Sequence, residues 1–358
     1  MSSLITPPTL RRVLTVLCVA AGIVGRSGAA GAAPHQGQPH FVRYFPAETN
    51  GAFESYALVG FRGRYWFTSS ETPSLGVIGS FAGRGASSSS TPTVLHYLGG
   101  NPVSGMPNIV LDSAGTVWAT VHVGVEQTIV RLNPDGDFTY FPVPGWDGDG
   151  VGALAPGPRG SMWFTTEEQG TIGSITPAGA IHLVSVAGQT QGICAGPNDS
   201  AWFTVYANPA TVGTLSASGT VTLFSIPATA QVVVPGPIVA GPDGNFWFTD
   251  VELSGASHAE QDYIVKVTPQ GAISKYPTPT AAASLADIVV GADGNLWSTE
   301  TNAGQLLRVT PKGVMTEFPL PHDPDGGADA WGITRAWGSP NALLFMNNSG
   351  YIGLFALE

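Results

Sequence analysis

One short cassette returns seven times along this chain. An apolar strand enters a glycine-containing turn and leaves it as a Trp-Phe-Thr-like strand. The clearest copies run from Gly241-Pro242-Asp243-Gly244 to Trp247-Phe248-Thr249-Asp250, and from Gly291-Ala292-Asp293-Gly294 to Trp297-Ser298-Thr299-Glu300. Weaker copies centre on Trp66, Trp118, Trp163 and Trp202. A seventh, Leu343-Leu344-Phe345, keeps the apolar character without the Trp. Strand-and-turn units repeating every ~40–50 residues are blades of a β-propeller. The expected fold is therefore all-β: seven four-stranded antiparallel blades in one ring.

Each repeat supplies four strands. In the best copy these are Pro237 to Ala240, Phe246 to Thr249, Tyr263 to Val267 and Ala272 to Pro277. The last repeat ends on a third-strand pattern, Tyr351-Ile352-Gly353-Leu354-Phe355. The fourth-strand pattern it lacks stands at the other end of the chain as Phe41-Val42-Arg43-Tyr44-Phe45-Pro46. This predicts that the N-terminal strand completes the last blade and closes the ring, which removes the free sheet edges of an open array. The Ser-rich stretch from Gly83 to Thr93 reads as a long loop inside the first repeat.

Of 358 residues, 47 are Gly and 29 Pro. Regular Trp, Phe, Ile and Val between them indicate many tight turns rather than disorder. Arg11-Arg12, the apolar run Val13 to Val24 and the Ala30-Gly31-Ala32 site together read as a secretory signal over residues 1–32. The propeller is then expected over 33–358, outside the cell or on its envelope. The net charge of −11 becomes more negative once the signal leaves with its Arg residues. Such a balance disfavours nucleic acid and anionic membranes. Nothing after the signal is long and apolar enough to span a bilayer. Cys194 is then the one remaining cysteine, expected as a small buried hydrophobe. A monomer is expected.

In a four-stranded meander the Gly-Pro-Asp-Gly turns lie on one face, where their Asp residues cap turns. Inter-blade loops and the residues after each Trp-Phe-Thr collect on the other. That second face is expected to be acidic, with Asp147 and Asp149 beside Trp146, then Glu167, Glu168, Asp250, Glu252, Glu260, Asp262 and Glu300. The loop His322-Asp323-Pro324-Asp325-Gly326-Gly327-Ala328-Asp329 adds three more acids. Such carboxylates suit a hard cation or a cationic ligand, or form a solvated rim. His122, His258 and His322 reach the same face. No nucleophile elbow, phosphate loop, zinc-binding helix or cysteine pair occurs.

The cassette, with Ile172-Gly173-Ser174-Ile175-Thr176-Pro177 and Thr316-Glu317-Phe318-Pro319-Leu320-Pro321, resembles the virginiamycin B lyase (streptogramin B lyase) family over residues 41–358. The resemblance implies a seven-bladed propeller and Mg²⁺-dependent opening of cyclic depsipeptides by elimination across an ester. It also implies a site drawn from adjacent blades: a His two residues before one first-strand Ile, then Glu-Pro-His-Gly-Ile, then a Glu closing the next strand. Here those places hold Ala286, then Asp329-Ala330-Trp331-Gly332-Ile333, then Asn347. The acid survives as Asp329, but the base position is Trp331. Gln191 occupies the equivalent His position of its own blade. The fold is thus expected and the family's proton abstraction is not. Expected ligand-contacting residues are Asp329, Trp331, Asn347, Glu300, Asp250, Gln191 and Trp146. Asp329 and Asp325 are the metal candidates, for Mg²⁺ if any. Glu300 and His322 are the substitute bases should an altered lyase exist. A ligand-binding propeller for small or peptide-like molecules leads. A depsipeptide lyase is the enzymatic alternative, and an envelope scaffold the third.

Overall fold

The computed structural model describes residues 38–46, 54–61, 64–72, 75–82, 94–97, 108–123, 126–145, 152–167, 169–228, 230, 232–254, 258–336, 341–347 and 349–357. The signal segment, the 83–93 stretch, Trp146, Asp147, Asp149 and Glu168 lie outside them, as do the side chains of His122, His258 and Glu260.

Among the described residues the strands form seven four-stranded antiparallel sheets. The innermost strands of successive sheets contact one another around a closed ring. The fold is the expected β-propeller. Blades 1 to 6 follow chain order. Blade 7 combines Ile333–Arg335, Ala342–Met346 and Tyr351–Ala356 with the N-terminal strand His40–Pro46. His40 pairs with Ala356 and Pro46 with Tyr351, as the closure argument requires. Aromatic contacts seal the seam. Tyr44 lies 5.9 Å from Phe345 and 6.4 Å from Tyr351, centroid to centroid, in edge-on geometry that adds to simple burial.

Alternation along each second strand sends neighbouring side chains into different seams. In blade 5, Trp247 packs forward against Leu285, Ile288 and Leu296 of blade 6. Its neighbour Phe248 packs back against Trp202 and Val212 of blade 4. The turn aspartates hold the tryptophans: Asp243 accepts the Trp247 indole N–H at 3.0 Å and Asp112 that of Trp118 at 3.3 Å. Close packing also explains the Ile-Gly pattern of the third strands. A Cβ on Gly173 would lie 2.0 Å from the Phe164 ring, so only glycine fits there.

A threonine relay links the blades. The Thr204 hydroxyl accepts from Gly192 N (2.9 Å) in its own blade and donates to Gly236 O (2.8 Å) in the next. Thr120, Thr165 and Thr299 make the same pair of bonds at their seams. Blade 5 departs from expectation in length. Its strands run Val232–Ala240, Phe246–Ser254 and His258–Val267. Val232, Val233 and Val234 pair with Leu253, Glu252 and Val251, so β-branched residues carry the ladder past the usual stop.

Candidate functional site

Because first strands line the axis, their entry ends and the inter-blade loops meet at one end of it. The longest such connection, between Met315–Pro319 of blade 6 and Ile333–Arg335 of blade 7, carries His322, Asp323, Asp325, Asp329 and Trp331. Asp323 is its organiser. One carboxylate oxygen accepts Asp325 N (2.8 Å) and Gly327 N (2.9 Å), while the other accepts the Asn347 amide. Asn347 is fully buried and accepts Tyr351 N through its own oxygen at 2.8 Å. The loop is also tied to the closing strand, since the Tyr44 hydroxyl donates to Pro321 O at 2.8 Å.

Trp331 is held at both backbone atoms. Its N–H donates to Met346 O (2.8 Å) and its carbonyl accepts the Thr299 hydroxyl (2.7 Å). The half-exposed indole donates its N–H to Asp329 at 3.1 Å. The neighbouring first strand of blade 6 carries Asp287, where blades 4 and 7 have Gly192 and Gly332. Its carboxylate accepts Ile288 N (2.8 Å) and, across the seam, Ile333 N (3.1 Å). Burial pushes the Asp287 carboxyl up to about 6, against those two bonds. This residue went unnoticed in the sequence. The available signal was an acid directly before the first-strand Ile, where blades 4 and 7 have glycine and no other described blade has an acid.

Other expected residues divide. Trp331 and Asp329 meet on one loop through the indole bond, whereas Asn347 is buried below and bonds Asp323 instead. Gln191 stands at the register of Trp331 in blade 4, its backbone oxygen bound by Thr165 at 2.8 Å. His322 is exposed, its Nδ1 2.9 Å from Gly326 O. Asp325 is exposed and helps raise the Tyr351 hydroxyl, after burial. Asp329 is engaged by Trp331. Among the described residues no three His, Cys, Asp or Glu side chains are grouped to hold a metal ion.

The acids after Trp-Phe-Thr are not a solvated rim. Asp250, Glu252, Asp262 and Glu300 are buried, because strand alternation continues past the Thr and turns each side chain into a seam. Asp250 and Glu252 share the Lys275 ammonium, Asp250 at 2.6 Å, and the same ammonium sits 4.2 Å above the Tyr263 ring. Desolvation raises the Asp250 carboxyl despite that lysine. Cys194 is buried and unpaired, and burial pushes its thiol far up. Among the described residues no helix is long and apolar enough to cross a membrane.

Comparison with known proteins places this geometry. The model of the Virginiamycin B lyase family matches residues 99–348. A virginiamycin B lyase of Nocardia farcinica is 29% identical over 223 residues, 61% of this chain and 71% of that one. The crystal structure of virginiamycin B lyase from Staphylococcus aureus superposes with a TM-score of 0.70 at 25% identity, covering 88% of this chain and 99% of the other. A catalytically inactive His-to-Ala variant of that enzyme, with quinupristin, gives 0.69 at the same identity and coverage.

Proposed function

Because this chain belongs to the virginiamycin B lyase family, we propose that it uses the family's propeller to bind a small peptide-like ligand without opening it. The observation that carries this reading is Trp331. Where the family resemblance calls for a basic imidazole, an indole stands with its one polar atom donating to Asp329. An indole N–H cannot take a proton. Ala286 offers nothing at the other His position, and Asn347 replaces the final Glu with its amide already committed to Asp323. Loss of one His inactivates the Staphylococcus aureus enzyme, and this chain has none at either position. What remains is a rigid aromatic platform beside one carboxylate, suited to stacking and one charged or N–H contact. Residues 1–32 support export, so the ligand would be met outside the cytoplasm.

The alternative is a lyase working with a substitute base and Mg²⁺. Of the two substitutes, Glu300 is buried in a seam and His322 is on the exposed loop. The test is incubation of the mature protein with a streptogramin B antibiotic, with and without Mg²⁺, followed by chromatography for a linear isomer of unchanged mass. The expected result is no conversion, together with quenching of Trp fluorescence that Trp331→Ala removes. Metal-dependent conversion abolished by Asp329→Ala would replace this reading with the lyase.

A further inference from the structure

The seam between blades 5 and 6 holds a feature separate from the axial face. Asp262 lies on the third strand of blade 5, two residues before Ile264, which packs against Leu285, Ile288 and Leu296 of blade 6. It therefore points at blade 6, and Ser284 N, on the loop entering that blade, donates to its Oδ2 at 2.7 Å. Glu300 ends the second strand of blade 6 on the side of Leu296 and Ser298, and so points back at blade 5. Its Oε2 accepts the Gln305 amide at 2.6 Å. Each acid is fully buried, and each has one oxygen with no partner: Asp262 Oδ1 and Glu300 Oε1. Burial, and behind it the charges of Glu317 and Asp262, raise the Glu300 carboxyl to about 8 against the Gln305 bond. A third acid in the seam, Glu317, is satisfied by Thr280 N (2.7 Å) and the Thr280 hydroxyl (3.0 Å).

Buried oxygens without donors are costly, and here two of them face one seam from opposite walls. Among the described residues no lysine or arginine pairs with them: Lys275 is committed to Asp250 and Glu252 in the other seam. We propose that Asp262 and Glu300 bind one divalent cation of Ca²⁺ type in the seam between blades 5 and 6. Two carboxylates balance its charge, and water completes its oxygen shell, joined by the Gln305 side-chain oxygen once the amide, whose nitrogen now donates to Glu300 and Thr280, has turned over. An all-oxygen set excludes soft metals. The enclosed seam suits Ca²⁺, which accepts irregular geometry, better than Mg²⁺, which keeps an octahedral shell of water. The cation would pin blade 5 to blade 6, and the partly accessible Thr280, with Gln305 buried behind it, marks its way in.

The test is Ca²⁺ titration of the chelator-stripped mature protein by calorimetry, with thermal unfolding in parallel and Mg²⁺ as comparison. The proposal expects about one equivalent bound, weaker heat with Mg²⁺, and a Tm rise of about 2–4 °C at saturation. Glu300→Gln and Asp262→Asn, each checked for folding by circular dichroism, are expected to lose both effects, and Asp329→Asn to keep them. Absence of Ca²⁺ binding by the wild-type protein overturns the proposal. So does binding that disappears in Asp329→Asn and persists in a folded Glu300→Gln or Asp262→Asn, since the cation would then sit on the axial loops. The antibiotic assay reads none of this, so either idea can fail alone.

Discussion

At the scale of single residues, the decisive positions are those where the chain departs from its own repeat. Asp287 is one. A carboxyl whose folded value is about 6, against 3.8 when unfolded, holds its proton more tightly in the native state. Its contribution to stability is full below about pH 4 and is lost as pH rises through about 6. Discounted for its partial exposure, the change is on the order of 1–2 kcal/mol. Asp287→Asn is expected to flatten the fall in urea-unfolding stability between pH 4 and pH 7, while the wild type shows it. Asp287→Gly removes the acceptor for Ile333 N altogether. It is expected to shift Trp331 emission, because the strand that follows Trp331 loses one of its bonds to blade 6 while the Thr299 bond to the Trp331 carbonyl remains. Trp331 itself was evident in the sequence as a substitution at a base position. Its bond to Asp329 was not, since a two-residue spacing does not say which way two side chains turn.

At the scale of elements, the second strand does most of the organising. One face carries Trp and Thr toward the next blade, and the other carries Phe and then an acid toward the previous one. The Thr relay satisfies a backbone N–H in one blade and a carbonyl in the next. Thr204→Val keeps the shape but orphans both groups in a buried seam. It is expected to cost about 2–3 kcal/mol, read as a lower urea midpoint at unchanged m-value. Gly173→Ala brings a methyl into the Phe164 ring and is expected to cost about 1–3 kcal/mol, with expression of soluble protein as a second readout. The alternation that explains these effects also explains why the acidic residues were misjudged. Read as strand ends they belonged on a wet face, but the ladders run on and carry them inside.

At the scale of the whole molecule, stability rests on closure. The strand His40–Pro46 pairs along Tyr351–Ala356, its rings fill the seam with Phe345, and Tyr44 reaches the loop that bears Asp329 and Trp331. Removing residues 38–46 uncovers the edge of blade 7 and cuts that tether together. The shortened protein is expected to unfold over a broader temperature range and to associate, seen by light scattering. Tyr44→Phe keeps the ring closed and loses only the tether. It is expected to leave Tm within about 1–2 °C of the wild type while weakening ligand quenching of Trp331.

The sequence by itself determined the blade count, the strand order and the N-terminal closure, because these are written in local periodicity and residue type; the loss of the two imidazoles showed only through the family resemblance. Tertiary structure decided which side chains face one another. Asp262 and Glu300 belong to different blades, Lys275 finds Asp250 across the sheet, and Asn347 is committed to an aspartate on another loop. A repeat with a two-residue side-chain period announces its strands. The seam into which each strand turns a given acid depends on bulges, ladder length and the neighbouring blade, and those exist only once the ring has closed.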